Sequence, residues 1–95
     1  MSITAVRTWN KPRTKATVTV TFADGSTEQL GGNRAGRASA VIVVQFSTDS
    51  QLGVLGLRAD VHAAETEAAR YLRPGRYGSA PAIQSGVVLV TEEAS

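Results

Sequence analysis

The stretch that decides the fold runs Thr17-Val18-Thr19-Val20-Thr21-Phe22-Ala23-Asp24-Gly25-Ser26-Thr27-Glu28-Gln29-Leu30. Threonine alternates with apolar residues, the alternation stops at Asp24-Gly25, and a second short run follows. Successive side chains of a strand point to opposite faces, so this pattern describes a β-hairpin with one face buried and one wet. A two-residue turn at Asp24-Gly25 would put Leu30 on the threonine face. A three-residue loop, Ala23-Asp24-Gly25 with glycine in the left-handed bulge position, pairs Val18 with Leu30 and Val20 with Glu28 and keeps Leu30 on the apolar face. The bulged turn is therefore the expected one.

Upstream, Ile3 to Trp9 reads as a strand rich in β-branched residues. Asn10-Lys11-Pro12-Arg13 reads as a turn, because proline cannot donate to a central ladder. Downstream, Gly31 to Arg37 carries three glycines and reads as a flexible connector. Ala38 to Phe46 is apolar on both faces, with Ala40, Ile42, Val44 and Phe46 on one and Val41 and Val43 on the other, as in a strand covered on both sides. Ser47 to Gln51 is a polar break. Leu52 to Arg58 is read as a strand in preference to a helix, since Gly53 and Gly56 would each cost a helix interior about 1 kcal/mol.

The clear helix spans about Val61 to Arg73. Asp60 is its N-cap, and Val61, Ala64, Ala68, Tyr71 and Leu72 form an apolar stripe. Glu65 and Glu67 lie early and Arg70 and Arg73 late, matching the helix dipole, and Pro74-Gly75 ends it. A loop from Gly75 to Ser85 leads to a last strand, Gly86 to Thr91, apolar enough to be internal, and then to a polar tail from Glu92. The expected fold is a small α+β domain over residues 1–95: a mostly antiparallel sheet of five or six strands, or a half-open barrel, packed by one helix at about 61–73.

Composition narrows the function classes. The 95 residues include no cysteine, so disulfides and thiolate metal sites are excluded. The longest apolar run, Ala40 to Val44, is too short to cross a bilayer, and Met1 to Arg7 does not form a signal peptide; a cytoplasmic protein without membrane contact is expected. The dominance of arginine over lysine suits a GC-rich bacterial genome or one of its phages. The formal charge of +2 is mild but uneven, with the basic excess before Ser47.

Candidate chemistry is sparse. His62, the single histidine, reads as a helix-surface residue. Glu65 and Glu67, two apart, point to different sides of the helix and form no acid–base pair. Ligand clusters for metals are missing, so neither metal nor cofactor is expected, and no nucleophile is assembled; the chain is read as a non-enzyme. Gly31 to Ser39 has the glycine spacing of a phosphate loop. Arg37 and Ala38, however, stand where its lysine and hydroxyl belong, and a strand follows where a helix should.

Two basic groups are left as binding candidates. Arg70, Arg73, Arg76 and Tyr77 combine flat contact surface with hydrogen-bonding capacity, the composition of protein-binding hot spots. Lys11, Arg13, Arg34 and Arg37 could contact an anion or nucleic acid, with Arg7 and Lys15 nearby and Trp9 either in the core or an exposed anchor. The leading expectation is a small accessory or regulatory protein that binds a protein partner through Arg70, Arg73, Arg76 and Tyr77. Homodimerisation through a sheet edge or the helix face is a further expectation. The alternative is nucleic-acid binding that combines the segment 70–77 with Lys11, Arg13, Arg34 and Arg37.

Overall fold

The structure, a computed structural model, describes residues 2–48, 50–75 and 80–93. Six strands and, among the described residues, one helix follow in the order β1 (Thr4–Trp9), β2 (Ala16–Thr21), β3 (Thr27–Leu30), β4 (Ala40–Gln45), β5 (Gly53–Arg58), α1 (Val61–Arg70) and β6 (Gln84–Glu92). They build one six-stranded sheet in the order β3-β2-β1-β6-β4-β5. All neighbours are antiparallel except β1 and β6, so the sheet is mixed.

The decisive hairpin takes the bulged form. Val18 faces Leu30, Val20 faces Glu28, and Gly25 has φ 88°. Phe22 N–H donates to Ser26 O at 2.8 Å and Gly25 N–H to Phe22 O at 2.9 Å, closing the three-residue loop. The Asp24 carboxylate accepts from the Ser26 amide at 2.9 Å and from its hydroxyl at 2.6 Å, and these bonds hold the carboxyl below its usual range.

The sheet curls until its two outer strands approach one core. Val18 and Val20 of β2, Ala5 of β1, Val41 and Val43 of β4 and Leu57 of β5 are buried together, with Leu30 of β3 and Val54 of β5 packed against them. This concave core makes the fold nearly a closed barrel. The outer face of β4 supplies a second cluster, Ala40, Ile42 and Val44, on which α1 lies through Ala64 and Ala68. The small alanines bring the helix close to the sheet, as the stripe predicts. Asp60 caps the helix by accepting from Ala63 N–H at 2.9 Å.

Four readings need correction. The helix ends at Arg70, three residues early: Tyr71, Leu72 and Arg73 form tight turns whose amides bond three residues back, and Leu72 leaves the stripe to stand 48% exposed. Phe46 lies past the end of β4, 56% exposed, and meets Tyr71 edge-on. The last strand is longer than its apolar run, because Gln84 reaches Gln45 side chain to side chain at 2.6 Å and Glu92 is anchored by Arg7.

The fourth concerns the connector from Gly31 to Arg37, which is packed rather than free. Ala35 and Ala38 are buried in the concave core. Arg7 Nη1 donates to their carbonyls at 3.0 and 2.8 Å, and Gly36 lies so near the Trp9 ring that a Cβ there would sit 3.2 Å from it. The segment plugs one mouth of the barrel.

Candidate functional site

The sequence-predicted residues fall at opposite ends of the sheet. Lys11 and Arg13 occupy the β1–β2 turn and Arg34 and Arg37 the plug, all exposed. Trp9 joins them: the Arg13 guanidinium lies 5.2 Å from its ring centroid, and Gly36, between Arg34 and Arg37, abuts its edge. Trp9 is half-buried, so it meets the core on one side and arginine on the other. Arg7, in contrast, is committed internally, to the two plug carbonyls and to Glu92, which its Nε reaches at 2.7 Å. That pairing is the main reason the Glu92 carboxyl lies below its usual range.

Arg70 and Arg73 stand at the other end, exposed, where α1 runs out beside Phe46 and Tyr71. Arg76 and Tyr77 lie outside the described residues. One ligand touching both groups would have to span the length of β4, so the geometry separates the two surfaces that the nucleic-acid reading combines. His62 is exposed on α1, and Glu65 and Glu67 do point apart. Glu67 turns to β5, where both carboxylate oxygens take the Arg58 guanidinium, at 2.9 Å from Nε and 2.7 Å from Nη2. This fork holds the Glu67 carboxyl low and raises the Arg58 guanidinium. Gly56 makes room for it, since a Cβ there would come within 2.7 Å of Arg58 Nη1.

A feature the sequence reading missed lies beside β6. Against β4, β6 pairs from Gln84 to Leu89, but against β1 only Val90, Thr91 and Glu92 have partners. Over Gln84–Leu89 the β1 side of β6 has no ladder partner among the described residues. The direction of the amides follows from two bonds. Val90 N–H donates to Ser39 O on the β4 side at 3.0 Å, and Glu93 N–H to Arg7 O on the β1 side at 3.0 Å. Alternation then turns the N–H groups of Ser85 and Val87 into the gap.

Apolar surface flanks this edge on both faces. On the concave side a cleft of about 540 Å³ is lined by Ile3, Val43, Leu52 and Val88. On the helix side a cleft of about 450 Å³ is lined by Val61, Ala68, Leu72, Val87 and Leu89. Leu89 is 58% exposed and Ile83 50%. The Ser85 hydroxyl oxygen, on the wall of both clefts, is buried and has no hydrogen-bond partner. An unpaired strand edge leaves no periodic mark in a sequence; the one hint is an apolar final strand whose first strand partner begins too late to cover it.

Comparison of the chain with family models, curated proteins and solved structures gave no match. Among the described residues no group of three or more His, Asp or Glu side chains is placed to hold a metal ion, and no helix is long and apolar enough to cross a membrane.

Proposed function

We propose that this protein is a non-enzymatic binding module, an accessory or regulatory component that works by protein–protein contact, and that its partner contributes an extended segment alongside β6. The observation that carries this reading is the unpaired edge at Gln84–Leu89, set between two apolar clefts. A strand added there would bond its main chain to Ser85 and Val87, and its alternate side chains would enter the concave and helix-side clefts. This is strand addition, in which backbone bonds give affinity and alternate pockets give selectivity. Arg70 and Arg73 stand near the Gln84 end of the slot, tied to it through the bond from Ala82 N–H to Tyr71 O at 2.6 Å. They supply a charged rim of the kind expected of Arg70, Arg73, Arg76 and Tyr77.

Selection of displayed peptides against the whole chain tests the reading. Captured peptides should alternate apolar and polar residues, and on binding they should slow amide exchange at Ser85 and Val87, which should be fast in the free protein. Val87→Pro removes one slot-facing donor while leaving the β4 ladder intact, and should weaken capture at least tenfold. Arg70→Ala with Arg73→Ala should weaken it less and leave Tm unchanged. Peptides that bind with no protection of Ser85 and Val87 would place the contact elsewhere.

A further inference from the structure

The plugged end of the barrel carries a second surface, and we propose that it binds the sugar-phosphate backbone of duplex nucleic acid without reading base sequence. Two ion pairs occur among the described residues, Arg7 with Glu92 and Arg58 with Glu67. Lys11, Arg13, Arg34 and Arg37 take part in neither. Arg13 lies over Trp9 in a cleft shared with Lys11, Glu92 and Glu93. Arg34 and Arg37 line a cleft with Arg58, joined to the first where Gly36 abuts the Trp9 ring. The four cations belong to two loops more than twenty residues apart, which the fold brings to one mouth.

These cations are presented on backbone that is already fixed. In the plug, Arg34 and Arg37 alternate with the buried Ala35 and Ala38, so the packing that inserts the alanines turns the arginines outward. Arg37 N–H donates to Arg34 O at 3.1 Å, which makes them neighbours on one turn. In the β1–β2 turn, the Asn10 carboxamide oxygen accepts from the amides of Thr14 at 2.9 Å and Lys15 at 3.0 Å. Arg13 has φ 57°, a left-handed conformation uncommon for a residue with a side chain, with its guanidinium lying over Trp9. Cations held in this way lose little loop entropy when they meet a polyanion.

The same geometry argues for backbone rather than bases. Stacking on bases needs a free aromatic face, but Trp9 has arginine over its ring and Gly36 at its edge, and among the described residues no other aromatic side chain lines the clefts at this end. Groups that meet only phosphates position a protein on nucleic acid and confer no sequence preference. The surface lies away from the β6 slot, so it stands or falls separately from the protein-binding reading.

Fluorescence anisotropy with the full chain and a labelled 20-base-pair duplex, a scrambled duplex and the corresponding single strand tests this directly. Four phosphate contacts imply a log–log salt slope of about −3 to −4, so affinity should fall on the order of a hundredfold between 50 and 200 mM salt. The two duplexes should bind alike and the single strand no better. Arg34→Ala with Arg37→Ala should flatten the slope by about two. Both residues are exposed, so an unchanged circular dichroism spectrum and Tm would confirm that the variant is folded. Arg70→Ala with Arg73→Ala should leave binding as it was. Several results would overturn the proposal: no binding at 50 mM salt, an unaltered slope in the Arg34/Arg37 variant, a clear preference for the single strand, or equal displacement by polyglutamate, which would mark a surface for acidic polypeptides.

Discussion

β4 and β6 lie side by side in the middle of one sheet, and both read as apolar runs, yet they are buried very differently. Ala40 to Val44 of β4 are all buried. In β6, Val87 and Val88 are half-buried and Leu89 is open to solvent. The difference is one of edges. β4 has a partner on each side along its length, α1 on one face and the concave core on the other. Over Gln84–Leu89, β4 is the only strand paired with β6 among the described residues, although Val87 packs toward α1 and Val88 toward the concave core. Apolar character in a strand therefore reports that the strand needs cover, and the sheet does not always supply all of it.

Five substitutions and one titration probe that contrast. The largest effect is expected at Ile42, fully buried under α1: Ile42→Ala should cost about 2–5 kcal/mol in chemical denaturation. Val88→Ala should cost only a fraction of that. Equal costs would show that β6 is as well covered as β4. Next, Arg7→Met deletes the donors to Ala35 O and Ala38 O and the anchor of Glu92. Leaving such carbonyls unpaired should cost about 1–3 kcal/mol. Amide exchange should then quicken in the plug and in the paired half of β6 but not at Val41 or Val43.

An acid titration gives a smaller effect. The Glu67 carboxyl lies below its ordinary value in the fold, chiefly through its bonds to Arg58. Its contribution is complete above the ordinary glutamate range and is lost as pH falls through the lowered value. The two side chains are 29% and 30% exposed, so the fork is worth less than about 1 kcal/mol. Glu67→Gln should remove that part of the acid dependence, leaving the parts owed to Glu92 and Asp24. Smallest of all, Leu89→Lys should change stability by no more than about 0.5 kcal/mol, because the side chain already stands in solvent. A large loss of Tm there would mean that the slot is closed in solution.

Much of the scaffold was legible in the sequence. The hairpin could be read down to its register because only one turn type keeps Leu30 on the apolar face. The two-faced reading of β4 holds as far as Val44, and Asp60 marks the start of α1. What escaped was set by distant contacts. Ala35, Gly36 and Ala38 are small enough either to move freely or to fill a barrel mouth, and only the placement of Arg7 and Trp9 selects the second. Gln84, Ser85 and Glu92 look like loop and tail until Gln45 and Arg7 meet them. Of the candidate sites, the basic residues were visible one by one, whereas the grouping of Lys11 and Arg13 with Arg34 and Arg37, away from Arg70 and Arg73, depends on the curl of the sheet. The slot could not be read at all, since it consists of pairings that are not made.

The position of β6 bears on how the chain assembles. The β1–β2–β3 meander and the β4–β5 hairpin are each local, and among the described residues the only strand pairing that links them runs through residues 84–92. During synthesis from the N-terminus both halves exist before the strand that unites them. Each must wait with its apolar face uncovered. Folding should therefore be limited by a late, long-range docking event, with the slow kinetics of non-local strand pairing. A ribosome-bound chain arrested before residue 84 would display two half-sheets in search of their centre.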